Sequence, residues 1–192
     1  MRNLEDFIYK EAAIPLDTCD TLVTMISKNK AEWIPHEYAK DGNYALDKDN
    51  LFEIKYSFEH EAIVLQQFLI NTVSNYNKML AETMSFDKYI SFSGVQSCSP
   101  IRFNRCNEGS KIETHHDHVK GLFGEGDQGV PLLSIVGLLN NDFDGGKFTF
   151  GTDFDPDLKK GDIIIFPSTF LYPHSVSTVT KGSRYSFVTW AY

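Results

Sequence analysis

The chain has 192 residues, room for one sizeable hydrophobic core and not for two. Its composition, 42% hydrophobic and 23% charged, is that of a soluble globular protein, and a net charge of -8 (18 Lys and Arg against 26 Asp and Glu) with no basic run makes nucleic-acid binding unexpected. Three scattered cysteines without a CxxC pair, and an N-terminus that meets acidic residues before any apolar run, argue against a disulfide framework, a thiolate zinc site, a signal peptide or a membrane span; a reducing cytoplasm is the expected location.

In chain order, the first regular pattern follows Asp17, which reads as an N-cap. Apolar side chains recur at Cys19, Leu22, Val23 and Ile26, the stripe of an amphipathic helix. Tyr38 to Ile54 is polar, turn-rich and aperiodic, and reads as a mobile loop. A longer stripe at Ala62, Leu65, Leu69, Val73, Tyr76 and Leu80 predicts a second helix ending near Met84. Beyond it come short β-type runs: Tyr89 to Gln96, Ile101 to Cys106, Leu132 to Leu139, Lys147 to Phe150, Asp162 to Phe166, Ser175 to Val179 and Tyr185 to Ala191. Glycine-bearing turns separate several of them, as in a sandwich or barrel. No linker or repeat divides the chain. The expected organisation is one domain over 1–192, mostly β with flanking helices: a helical N-terminal support over 1–85 packed on a β core over 86–192.

Chemistry concentrates in Thr114-His115-His116-Asp117-His118. Were this piece extended, alternate side chains would share a face, pairing His115 with Asp117 and His116 with His118. The first pair, with one further histidine, would complete a 2-His-1-carboxylate triad suited to Fe(II); the second would suit a cupin-like zinc or manganese site. His174 supplies a third ligand after the apolar run Asp162 to Pro167, and Arg184 follows ten positions later in a strand-like run that holds no other charge. An arginine facing a sandwich interior is costly unless an anion meets it. Ser186 shares its face and adds a hydroxyl. A dicarboxylic acid that chelates the metal at one end and pairs with Arg184 at the other accounts for both residues, and 2-oxoglutarate is such an acid.

This arrangement resembles the Fe(II)- and 2-oxoglutarate-dependent dioxygenases, specifically the prolyl 4-hydroxylase-like branch. The resemblance spans roughly Pro100 to Trp190: Gly109 six residues before His115-x-Asp117, then Asp142-Phe143-Asp144-Gly145-Gly146-Lys147-Phe148, then Lys160-Gly161-Asp162-Ile163-Ile164-Ile165-Phe166, then His174-x-Val176-x-x-Val179-x-x-Gly182-x-Arg184. It implies a double-stranded β-helix, or jelly-roll, core with the N-terminal helices packed on it. It further implies His115, Asp117 and His174 as iron ligands and Arg184 as the anchor for the distal carboxylate of 2-oxoglutarate. Fe(II), 2-oxoglutarate and O2 are the implied cofactors, with ascorbate to be tested as an auxiliary reductant. The implied reaction hydroxylates a second substrate and releases succinate and carbon dioxide. A prolyl residue in a peptide or protein leads as target, clamped by the polar stretches 38–54 and 118–130, and a small free molecule is the alternative.

The chain departs from the family pattern at Cys106, where many relatives have tyrosine, and at Leu138-Leu139-Asn140, where Tyr-Leu-Asn is common. Arg102, Asn104 and Ser134 are the available substitutes around the cosubstrate, while His116 and His118 are expected at the rim. Gly124-x-Gly126-x-x-Gly129 matches a dinucleotide fingerprint only formally, because Pro131 and a β-type run follow it where a helix is needed. A rival reading is a cupin-like module that holds a metal or small acid without turnover. It makes His116 and His118 ligands and gives no reason for Arg184.

Overall fold

The computed structural model describes residues 3–28, 33–40, 43–46, 52–57, 60–84, 95, 97–118 and 129–192. A 3-10 turn (Leu4–Phe7) leads into β1 (Tyr9–Ala12) and α1 (Leu16–Ser27). Four strands, β2 (Ile34–Pro35), β3 (Glu37–Lys40), β4 (Asn43–Leu46) and β5 (Phe52–Ser57), precede α2 (His60–Met84). Strands and turns make up the rest: β6 (Ile101–Asn107), β7 (Ile112–His115), β8 (Leu133–Leu138), β9 (Phe143–Gly145), β10 (Phe148–Phe150), β11 (Asp162–Pro167), β12 (His174–Val176) and β13 (Val179–Ala191). None of the described helices is long and apolar enough to cross a membrane.

The main sheet runs β1-β11-β8-β13-β6-β5-β2, with β9 beside β13, and its pairings are antiparallel. A smaller antiparallel sheet runs β10-β12-β7, and β3 pairs with β4 in a separate hairpin. Strand period decides what each face carries. Phe187 of β13 lies opposite Phe103 of β6 and joins Ile135, Ile163 and Ile165 in a core closed by Leu22 and Ile26 of α1 and Leu65, Tyr76 and Leu80 of α2. Both helical stripes are thereby spent on one face of the sheet, where fully burying a Leu or Ile stabilises by roughly 1.5–3 kcal/mol. On the opposite face Val136, Ile164, Phe166, Val188 and Trp190 pack against Phe148, Phe150 and Val176 of the smaller sheet. The result is three layers, with helices, large sheet and small sheet stacked in that order.

Several expectations need correction. The stretch 38–54 is not a loop in its described parts: it holds β3, β4 and the start of β5. Among the described residues β3 and β4 pair only with each other, and β5 joins β6 by burying Phe52 and Ile54 while Lys55, 6% exposed, pairs with Glu61 at 3.6 Å. Nor is 1–85 purely helical, because β1 extends the main sheet beside β11 and β5 extends it beside β6. α1 is capped by Pro15, with Asp17 inside its first turn. β13 begins six residues before the expected Tyr185 and absorbs the Lys-Gly-Ser turn as an irregularity against β9; Gly182 takes φ +76° there, and a Cβ would meet the Asp142 carbonyl oxygen at 2.6 Å. Most of the run 89–96 and of the stretch 118–130 lies outside the described residues.

Gly137 of β8 lies opposite Phe187, and a Cβ on it would sit 2.1 Å from the phenyl ring. Gly137→Ala is expected to destabilise the protein by about 1–3 kcal/mol, because the ring has helices behind it and cannot retreat. A thermal melt should show a midpoint lowered by several degrees.

Candidate functional site

The register of the small sheet places His115, the last residue of β7, directly opposite His174, the first residue of β12. Their ring centroids are 4.3 Å apart. Each Nδ1 is tied to a carbonyl two residues upstream: His115 to Glu113 O at 2.8 Å and His174 to Tyr172 O at 3.0 Å. A carbonyl only accepts, so this network assigns the proton to Nδ1 and leaves the lone pair on Nε2. Both Nε2 atoms face Asp117, at 3.5 Å from Oδ1 for His115 and 3.8 Å from Oδ2 for His174.

Asp117 reaches across to the large sheet. Ser134 of β8 donates its hydroxyl to Asp117 Oδ2 at 2.6 Å, and the Ser168 hydroxyl stands 2.8 Å from that of Ser134. Burial alone would push the Asp117 carboxyl up, but the His174 and His115 imidazoles and the Ser134 hydroxyl outweigh it and hold it below the usual carboxylate range. Burial pushes His174 down to about 4 against the pull of Asp117. Its ring is stacked on Phe148 at 5.5 Å and meets Phe166 edge-on at 4.9 Å. At neutral pH the site therefore offers a carboxylate and a neutral, lone-pair-bearing His174. One ligand atom from each of His115, Asp117 and His174 lies within 4.8 Å of the others. Two imidazoles and a carboxylate without a thiolate are a donor set that fits Fe(II).

Arg184 lies on the same face of the large sheet and is 1% exposed. Among the described residues no carboxylate pairs with it: Nη1 donates to Ser186 Oγ at 2.8 Å, and the buried Nε has no partner. Burial pushes its pKa down from the ordinary value. A buried guanidinium answered only by a hydroxyl is a candidate anion site. Gly146, at φ +58°, lies against this side chain, and a Cβ there would come within 3.0 Å of Arg184 Cδ. The second glycine of the Gly145-Gly146 turn thus makes room for the arginine.

A single pocket takes in both features, with the triad, Arg184, Ser186, Asn104, Arg102 and Trp190 among its lining. Asn104 is buried opposite Ser186, and Arg102 lies opposite Val188. His116 and His118 are exposed and lie outside the ligand cluster, so the described structure does not assemble the cupin-like pair. His118 instead meets Phe170 edge-on at 6.4 Å. Cys106 is fully buried with Phe52, Ile54 and Val179, and burial pushes its thiol up, which leaves it a packing residue. Sequence reasoning missed the Ser168 link behind Asp117, and it missed His36, whose ring lies 4.8 Å from that of Phe52. Burial, with Arg102 and His115 nearby, pushes His36 down to about 3. Neither residue stands at a recognisable spacing from the motif; only register brings them in.

Three comparisons bear on this site. Residues 101–192 match the family model of the 2OG-Fe(II) oxygenase superfamily. A PKHD-type hydroxylase of Thermosynechococcus vestitus is 36% identical over 97 residues, covering 47% of this chain and 42% of that protein. One of Prochlorococcus marinus is 28% identical over 140 residues, covering 68% of this chain and 60% of that protein. The chain thus matches less than two thirds of the length of either relative. Among solved structures, a Pseudomonas putida prolyl-4-hydroxylase superposes with a TM-score of 0.66 at 18% identity, covering 96% of this chain and 91% of that one. A Trichoplax adhaerens prolyl hydroxylase, in complex with a hypoxia inducible factor oxygen degradation domain peptide fragment, gives 0.66 at 11%, covering 97% and 84%. At such identities the superpositions speak for the fold, and the jelly-roll expectation is borne out. So is the resemblance to 2-oxoglutarate oxygenases of the prolyl 4-hydroxylase-like kind.

His174 and His36 both sit below the ordinary histidine value near 6.5, so as pH falls from about 6.5 towards 4 the unfolded chain takes up protons that the folded chain refuses. Stability should be fully present above that window and decline within it, while Asp117, held below its usual range, stays ionised throughout. The metal-free protein is expected to lose up to about 2 kcal/mol per histidine between pH 7 and pH 5. Circular-dichroism melts across that range should show the decline, and His36→Gln should reduce its slope.

Proposed function

Proceeding from the 2OG-Fe(II) oxygenase match of residues 101–192, we propose that this chain is an Fe(II)- and 2-oxoglutarate-dependent dioxygenase. It hydroxylates a second substrate and releases succinate and carbon dioxide. One observation carries this reading: an unpaired, buried Arg184 shares a pocket with two histidines and an aspartate whose ligand atoms converge. A metal site alone would not need the arginine, and an anion site alone would not need the triad.

In this reading His115, Asp117 and His174 hold Fe(II), and Arg184 with Ser186 grips the distal carboxylate of 2-oxoglutarate. When bound, the metal and cosubstrate supply the activation of O2 and the oxidising power. The rest falls to the chain's own residues. The carbonyls of Glu113 and Tyr172 fix both imidazoles with Nε2 presented inward. Ser134 holds one carboxylate oxygen of Asp117 and so sets the plane of the group. Ser186 steadies Nη1 of Arg184, whose planar fork can take a carboxylate bidentately. Phe148, Val176, Val188 and Trp190 line the pocket with apolar surface, which excludes water and strengthens each charge interaction inside. The unit runs over residues 1–192, because β1 and β5 complete the sheet that carries the site.

The second substrate is a peptide or protein, with a prolyl residue as the leading target. Support comes from the prolyl hydroxylase likeness, including the Trichoplax protein captured with a peptide fragment. A small free molecule is the alternative.

Anaerobic titration of the protein with Fe(II) and 2-oxoglutarate tests the reading: a metal-to-ligand charge-transfer band should appear in the visible. The absence of that band from the native protein would end it. His115→Ala, Asp117→Ala and His174→Ala should each abolish the band and turnover, since two ligands leave the facial site incomplete. Arg184→Lys should raise the half-saturating 2-oxoglutarate concentration by about tenfold or more while Fe(II) still binds, because a point charge replaces a bidentate fork. Equal loss of both affinities would remove Arg184 from its assigned role.

A further inference from the structure

The pocket contains a buried amide that the dioxygenase reading does not use. Asn104 of β6 is 5% exposed, lines the pocket with Arg184, Ser186 and the triad, and stands directly opposite Ser186 of β13. Its Oδ1 is buried and has no hydrogen-bond partner among the described residues. A buried acceptor left in that state is costly, and native structures carry few of them. Packing alone does not account for it, because an apolar side chain between Ile54 and Ser186 would fill the same place on the sheet without that cost.

Strand register fixes the level at which this amide works. Arg184 is set opposite Cys106, yet its Nη1 donates to Ser186 Oγ at 2.8 Å, so the guanidinium leans along β13 to the level of the Ser186–Asn104 pair. Cys106, fully buried with Phe52, Ile54 and Val179, has only a weak thiol donor to offer. Further along β13, Trp190 lies opposite Ser134, which holds Asp117; that is the triad end of the pocket, and the Asn104 level is the other end. A carboxylate gripped by Arg184 therefore meets Asn104 and not the ligand atoms. Ser186 Oγ accepts from Arg184 and keeps its own proton to give. The unpaired acceptor opposite it is Asn104 Oδ1, on a residue whose Cβ is about 4.5–5.5 Å away across the ladder. A turn about χ2, which no bond to Oδ1 opposes, joins the two and leaves Nδ2 as the end presented to the pocket.

We propose that Asn104 completes the carboxylate site of the cosubstrate: Oδ1 accepts from Ser186, and Nδ2 donates to the carboxylate that Arg184 holds. The arginine fork supplies two N–H groups, a carboxylate has room for about four donors, and a neutral amide adds one without a second positive charge. Neutrality is thus part of the role. An aspartate at this position would accept from Ser186 equally well, but it would set its own carboxylate against Arg184 and exclude the ligand's. This assignment rests on the dioxygenase reading, and it adds a residue that sets how tightly the cosubstrate is held while standing apart from the metal ligands.

The test measures 2-oxoglutarate binding to the Zn(II)-loaded protein by calorimetry, Fe(II) affinity without cosubstrate, and the thermal melt of the metal-free protein. Asn104→Ala and Asn104→Leu should each weaken 2-oxoglutarate by about tenfold or more, as for loss of a hydrogen bond to a charged group, with Fe(II) affinity unchanged. Asn104→Leu should melt no lower than the native protein, since it removes an unpaired buried acceptor. Asn104→Asp should weaken 2-oxoglutarate by about a hundredfold or more and melt higher than Asn104→Ala, because Arg184 then has a counter-charge within the fold. In an Arg184→Gln background, Asn104→Ala should change 2-oxoglutarate binding by less than about threefold, as for two residues that act on one carboxylate. Native-strength binding of 2-oxoglutarate by Asn104→Ala or by Asn104→Asp would overturn the proposal. So would a parallel loss of Fe(II) and 2-oxoglutarate affinity with a lowered melt, which would make Asn104 a support of the fold. Absence of the charge-transfer band from the native protein would overturn the dioxygenase reading and this inference together; a normal band with unaltered binding by the variants would overturn the role of Asn104 alone.

Discussion

A full positive charge at 1% exposure inside a β sandwich is the constraint on which the rest of this site depends. Arg184 is held there by a strand paired on both sides, β6 on one and β8 on the other, so it cannot swing out to water without breaking a ladder in the middle of the main sheet. Its neighbours adapt to it. Gly146 keeps its turn free of a side chain, Ser186 supplies a hydroxyl one pleat along, and Cys106 offers a small, uncharged cross-strand partner. What these neighbours leave undone is the neutralisation of the charge, which is why an anionic cosubstrate is proposed for this end of the pocket. Desolvating a charge is expensive unless a partner meets it, so burial of this kind would favour an acid over a neutral ligand at Arg184.

The triad obeys a complementary rule. His115 and His174 come from the smaller sheet and Asp117 from the bend just after β7, but the hydroxyls that orient Asp117 come from Ser134 on the large sheet and from Ser168 behind it. Sandwich closure and site assembly are therefore one event, because Asp117 acquires its partner only when the two sheets meet. The imidazoles are fixed before any ligand arrives, each by a backbone carbonyl two residues away. Preorganisation of this kind lowers the ordering cost of binding, since neither ring must find its rotamer or tautomer in the encounter.

The helices stand apart from this chemistry. Their apolar stripes cover the face of the large sheet opposite the pocket, and Phe187 is the hinge of that packing. The alternation along β13 separates the two tasks at single-residue resolution: Phe187 turns to the helices, while Arg184, Ser186, Val188 and Trp190 turn to the pocket. A change on one face of this strand thus acts on stability and a change on the other on ligand binding, although adjacent residues carry both.

The sequence by itself determined the two helices and the β-rich second half and marked out a candidate ligand motif, because each leaves a local signature. The stripes at Leu22 and Leu65 follow the helical period, and the spacing of His115, Asp117, His174 and Arg184 stands in the sequence itself. It did not reveal β1, the strands within 38–54 or the cap at Pro15, because short strands that pair far along the chain need no periodicity of their own. Only the tertiary structure decided which histidines converge. His115 and His116 are adjacent in sequence and chemically identical, and it is the register of β7 against β12 that sets the first against His174 and leaves the second at the surface. The same holds for the serines behind Asp117 and for Arg102 beside Trp190, since cross-strand neighbours are set by hydrogen-bond register, a property of paired strands that no single strand contains.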